Sequence, residues 1–261
     1  MINKNVLRPL TGILLIVTPL AFMATFTLLQ INFEYPDILR KPAGYVLEQF
    51  SAGGAGLLAT WYAFAFTAIL FIPAAVLLHP LLAREDAPYM RLATVFGITA
   101  GIVQFLGLIR WPFLVPYLAR TYLDPASSEA TRDAVVVVFQ AFNQYAGVAV
   151  GEHLGYLFTS GWTLLVGLAM LKSPIFKSWL GWLGIASAAG IVMGMLEPAG
   201  VPLAGAVNAI SYIVWALWLV LVGIFVLKQK GVDSLTAFAA PGAPLAGLKI
   251  GLKEGENGTQ S

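Results

Sequence analysis

Between Pro9 and Ile31 the chain carries no Asp, Glu, Lys or Arg, and the same holds from Ala55 to His79 and from Leu203 to Leu227. A helix needs about 20 mostly apolar residues to cross the ~30 Å hydrocarbon layer of a bilayer, and each of these runs is long enough. No other feature restricts the fold so strongly, because lipid offers no hydrogen bonds and a spanning backbone must satisfy its own polar groups. Three further runs with sparse polar interruptions bring the expected spans to six, at about 9–31, 55–79, 92–118, 150–171, 179–197 and 203–227. Charge and proline mark the connections: "EYPDILRKP" (34–42), "HPLLAREDAP" (79–88), "ARTYLDPASSEATRD" (119–133), "KSPIFK" (172–177) and "EPAGVP" (197–202). The first run follows Lys4 and Arg8 as a secretory signal would, but it exceeds a signal core of roughly 7–15 residues, so it reads as a first span. The fold class expected is all-α, a polytopic transmembrane helix bundle formed by residues 1–230. The Gly-, Pro- and Ala-rich stretch 231–261 reads as a disordered cytoplasmic tail.

Composition agrees: 59% of the 261 residues are hydrophobic and 11% charged, against about 25% charged in a soluble domain. Net charge is +2, and the basic residues sit at span ends, so a nucleic-acid groove is not expected. The absence of cysteine excludes disulfides and thiolate chemistry. With the N-terminus inside, Lys4, Arg8, Arg84, Arg91, Lys172, Lys177, Lys228 and Lys230 face the cytoplasm, against Arg40, Lys41, Arg120 and Arg132 outside. Positive residues favour the cytoplasm, so both termini are expected there.

One stretch does not fit a simple span. Ala134 to Leu171 has no formal break, and as one helix it would reach roughly 57 Å, well beyond the hydrocarbon. It must bend, protrude or divide, and the glycines at 147, 151 and 155 are the expected place. Residues 130–146 then form an outer amphipathic helix, with the true span starting near Gly151. On a helix those glycines also make a smooth stripe for close approach of a neighbour, as do Gly190 and Gly194.

The residues that resist a packing explanation are polar. Ionisable groups at membrane depth are expensive and face the interior or a cavity. Glu152 and His153 are adjacent, about 100° apart on an α-helix. Glu152 shares its face with Tyr156, Thr159 and Thr163, or alternatively it caps a helix start at the interface. Arg110, followed by Pro112 and Pro116, lies where span three should kink. It either snorkels to the headgroups past Trp111 and Tyr117 or joins a buried ion pair. Arg110, Asn143, Gln144, Glu152, His153, Tyr156, Glu197 and Asn208 all fall at the outer end of their segments. They are the candidate ligand-binding residues of an outer-half polar pocket, with Arg110 and Glu152 as direct or water-bridged partners. Two histidines, His79 and His153, cannot make a histidine-rich metal site, and Walker, G-x-S-x-G and G-x-G-x-x-G signatures are absent. No metal or cofactor is expected.

Through "GIVQFLGLIRWPFLVPYLA" (101–119) and "FNQYAGVAVGEHLGYLFTSGWTLLVG" (142–167), the chain resembles a bacterial integral-membrane family, domain of unknown function 4386, over roughly residues 8–227. The R-W-P-F and G-E-H-L-G-Y stretches carry the likeness. The resemblance implies a prokaryotic plasma-membrane protein and transfers no residue role. Three functions are expected to compete. The first is binding or transport of a small amphipathic or anionic ligand, with Arg110 as anion partner. The second is an intramembrane enzyme for a lipid-like substrate, with Glu152 and His153 as acid-base pair. The third is a structural or regulatory partner. The bilayer is the expected surrounding in each case, and the oligomeric state stays open.

Overall fold

The computed structural model describes residues 4–84 and 86–229; the expected tail at 231–261 lies outside them. Among the described residues there is no strand, and six helical stretches are long and apolar enough to cross a membrane: Val6–Phe33, Gly54–Leu82, Met90–Leu123, Glu129–Leu171, Ser178–Leu196 and Ala204–Lys228. These are the six expected spans, with five of them bounded within a few residues of expectation and the fourth starting at Glu129 rather than near 150. The protein is a multi-pass membrane bundle.

We number the helices α1 (Lys4–Phe33), α2 (Ala43–Ala52), α3 (Gly54–Leu82), α4 (Met90–Leu108), α5 (Arg110–Phe113), α6 (Val115–Leu123), α7 (Glu129–Phe142), α8 (Gly155–Leu171), α9 (Ser178–Met193) and α10 (Ala204–Lys228). A π-helical segment, Asn143–Leu154, joins α7 to α8. The spans neighbour one another in chain order, α1 on α3, α3 on α4, α4 on α8, α8 on α9 and α9 on α10, and α10 returns to α1. Short connections make such sequential neighbours the default; here they close a ring. The face that holds the start of α1 and the end of α10 is termed terminal, and its opposite distal.

The core has two parts. Toward the terminal face, Leu15, Phe71, Leu78, Trp162, Val166, Trp218 and Val222 interlock. Toward the distal face, Phe33, Val46, Leu47, Phe50, Trp61, Trp111 and Phe139 form a second, aromatic cluster. Its centre is the Trp61–Trp111 stack, with ring centroids 4.3 Å apart and planes 9° from parallel. Part of this cluster comes from α2, a helix inside the stretch that the sequence leaves without structure. Pro42 precedes its first residue, where a fixed φ and a missing N–H are tolerated. Its buried Ala43, Val46, Leu47 and Phe50 recur at i, i+3, i+4 and i+7.

Span three kinks where the prolines require it. α4 stops at Leu108, α5 is a single turn around Pro112, and α6 restarts at Val115. The long 129–171 stretch differs from expectation. It does not break at its glycines. α7 packs against α6 and α2, and the chain then widens into π-helix over Asn143–Leu154.

Candidate functional site

The π segment contains Asn143, Gln144, Glu152 and His153, so the local winding decides where these side chains point. A π turn takes more residues than an α turn, and adjacent residues are rotated apart by a smaller angle. Glu152 and His153 both line one cavity, and Gln144, Val148 and Tyr156 join them. The opposite face is glycine. A Cβ added to Gly151 would lie 3.0 Å from the Gly107 Cα of α4, and one on Gly155 would lie 2.9 Å from the Gln104 side chain. The glycine stripe serves close helix approach, as its spacing implies. Gly190 and Gly194 repeat this against α10, where an added Cβ would meet Ser211 and Asn208.

Glu152 is not a cap. The helix begins at Glu129, where Ser128 Oγ accepts from Thr131 N–H at 3.1 Å, and Glu152 lies far along it. Arg110 takes neither arrangement expected of it. The guanidinium neither snorkels out nor forms an ion pair among the described residues, unlike Arg40, which pairs with Asp37 at 2.7 Å, and Arg84, which pairs with Asp86 at 3.0 Å. Instead Nη1 donates to the Gly107 carbonyl and Nη2 to Asn143 Oδ1 at 3.0 Å. The guanidinium carbon sits 5.3 Å from the centroid of the Trp111 ring. The cause is steric. The bare Cα of Gly147 leaves room for the guanidinium, since a Cβ there would stand 2.5 Å from Nη2, and the carbonyl left at the end of α4 supplies an acceptor. Arg110 and Glu152 still lie within electrostatic range of each other. Half-buried Tyr35, in the connection after α1, also senses both charges. Its phenol is pushed well above the ordinary range, chiefly by burial and secondly by the Glu152 carboxylate.

Between the π segment, the start of α8 and the 3₁₀ turn after α9 lies a cavity of about 210 Å³. Gln144, Val148, Glu152, His153, Tyr156, Gly194, Glu197 and Pro198 line it. Five of the eight candidate residues are brought together there. The side chains of Gln144, Glu152, His153, Tyr156 and Glu197 have no hydrogen-bond partner among the described residues; Gln144 and Glu197 are exposed, and Glu152, His153 and Tyr156 are half-buried. Arg110 and Asn143 stay with each other outside this cavity. Asn208 is buried beneath Gly194, donating from Nδ2 to the Ile191 carbonyl at 2.7 Å, and so fastens α10 to α9. Among the described residues no group of three or more His, Asp or Glu has metal-holding geometry.

A second polar group, outside the candidate set, lies deeper. Gln104 Nε2 donates to Thr159 Oγ1 at 2.9 Å. Thr163 donates to the Thr159 carbonyl at 2.7 Å and accepts from Trp215 Nε1 at 2.8 Å. The sequence reading missed this group, although Gln104, an amide in the middle of an apolar run, is a signal that could have found it.

No curated protein and no solved structure matches the chain. The model of one family, described as domain of unknown function (DUF4386), matches residues 10–223. That range enters all six spans and includes both the Arg110 cluster and the cavity, and the chain belongs to this family.

Proposed function

We propose that the protein binds, and in one version transports, a small amphipathic ligand in the distal cavity. The observation that carries this reading is the gathering of five polar side chains, none with a hydrogen-bond partner among the described residues, around about 210 Å³ of space. Glu152 and Glu197 line the cavity and Arg110 does not, which favours a cationic or uncharged headgroup over the anionic one. Tyr156, Val148 and Pro198 offer apolar surface to the rest of such a molecule. The excess of Lys and Arg at the terminal face supports termini in the cytoplasm and a plasma-membrane location.

The test is thermal unfolding of the detergent-purified protein with alkyltrimethylammonium, alkyl sulfate and zwitterionic alkylphosphocholine ligands of one chain length. A ligand at 100 times its Kd adds about 2.7 kcal/mol, and Glu152→Gln should weaken that gain. Equal responses of wild type and Glu152→Gln to every compound would remove the cavity as the binding site.

The enzyme reading keeps one supporting observation. Glu152 and His153 open onto the same cavity, so a bound substrate would meet an acid and a base together. Lipid composition of membranes with and without the protein tests it, and identical profiles under membrane stress would set it aside.

A further inference from the structure

Several buried helical threonines of this bundle settle their hydroxyls on their own helices. Thr11 donates to the Leu7 carbonyl at 2.7 Å, Thr67 to Phe64 at 2.6 Å and Thr163 to Thr159 at 2.7 Å. Thr18, midway along α1, does not. It is 5% exposed, and its Oγ1 has no partner among the described residues, which is costly for a buried hydroxyl. The next residue, Pro19, has no N–H to give to the Leu15 carbonyl.

Thr18 lines a cavity of about 30 Å³ near the middle of the bundle, together with Thr67, Gln104 and Tyr212. A single water needs only roughly 10–15 Å³ and two to four polar partners. Tyr212 borders this central cavity, and Tyr156 borders the distal one. Their rings are 5.8 Å apart, tilted by 55°, so this pair stands between the two spaces. Toward the terminal face Phe71, Trp162, Trp215 and Trp218 close ring against ring.

We propose that the central cavity is a water site, and that past Tyr156 and Tyr212 it continues the distal cavity as a wet route ending at the middle of the membrane. This rests on the reading that the distal cavity opens to water and takes a ligand. No Lys or Arg lines either space, and Glu152 and Glu197 stand at the entrance. The solutes that follow the water are therefore small cations or uncharged polar molecules.

The natural lack of cysteine makes the test clean. Gln144→Cys, Thr18→Cys and, as a lipid-facing control, Leu20→Cys are made singly. Each is treated in nanodiscs with 2-aminoethyl methanethiosulfonate, a small water-soluble cation. Gln144→Cys should react fast and Leu20→Cys hardly at all. Thr18→Cys should react slowly, then about tenfold faster when Tyr212→Ala opens the partition, a barrier change of roughly 1.4 kcal/mol. Reaction at Gln144→Cys with none at Thr18→Cys, or a Thr18→Cys rate indifferent to Tyr212→Ala, overturns the route and leaves the distal ligand site standing. An inert Gln144→Cys overturns both. Should Thr18→Cys not fold, radiolytic hydroxyl labelling of the unsubstituted protein decides: oxidation of Tyr212 well above that of Trp218 supports the water, and equal protection refutes it.

Discussion

At the scale of single residues, Arg110 shows how a membrane bundle holds a guanidinium without a carboxylate contact. Two fixed oxygens, the Gly107 carbonyl and Asn143 Oδ1, take its protons, and the Trp111 ring lies beside the charge. Contacting residues couple by about 0.5–3 kcal/mol in double-mutant cycles. Arg110→Leu combined with Asn143→Leu should therefore cost clearly less than the sum of the two, and less of a saving is expected for Arg110→Leu with Glu152→Leu. The reverse ranking, in thermal unfolding of the solubilised protein, would mean that a bridge to Glu152 dominates. Gly147→Ala drives a methyl against the guanidinium, and overpacking of that kind costs about 1–3 kcal/mol; an unchanged unfolding midpoint would show that Arg110 moves freely. A titration belongs at this scale too. The Tyr45 phenol donates to Glu34 Oε1 at 3.0 Å, and that hydrogen bond holds its pKa above the ordinary value. The neutral phenol is the favoured form in the folded state. The contribution is thus complete below about pH 10, the unfolded value, and is lost as pH rises through the higher folded one. The phenolate absorbance of wild type minus Tyr45→Phe should show a midpoint that Glu34→Gln lowers, and a midpoint unmoved by Glu34→Gln would contradict the bond.

At the scale of elements, the 129–171 stretch is the informative one. Its length and apolarity were legible in the sequence, and so was the need for some adjustment. The form of the adjustment was not, because π winding is selected by what the helix meets: Gly107 against Gly151 and the Arg110 guanidinium against Gly147. The start of this element rests on Ser128, whose hydroxyl caps the N–H of Thr131. Ser128→Ala should cost roughly 1 kcal/mol, while Ser128→Asp should restore the unfolding midpoint. Equal stability of all three proteins would mean that packing of α7 on α6 and α2 alone sets the helix start. The short helix α2 escaped the sequence reading for a related reason. Its buried face is one turn of apolar residues repeated twice, too brief to stand out until the Trp61–Trp111 stack gives it a surface to cover.

At the scale of the whole molecule, six spans in a closed ring place the start of α1 and the end of α10 on one face. Fusions at Lys230 should leave alkaline phosphatase inactive and green fluorescent protein bright, as the positive-inside distribution requires, and fusions in the 34–42 connection should do the opposite. Active phosphatase at Lys230 would invert the orientation, and the distal cavity would then open to the cytoplasm.

The sequence by itself determined that this chain lives in a membrane, that it spans six times, that span three kinks at Pro112, and which polar residues needed an explanation. These follow from local cost, since an apolar run, a proline or a charge in lipid carries its penalty wherever the fold places it. Tertiary structure alone decided which of those residues meet. Gln144, Glu152, His153, Tyr156 and Glu197 share a cavity where the π segment, the start of α8 and the turn after α9 meet. Arg110, at similar depth, is turned away because Gly147 and Gly107 make room and supply an acceptor there. Depth can be counted along a single helix, but direction depends on the neighbour against which that helix is packed.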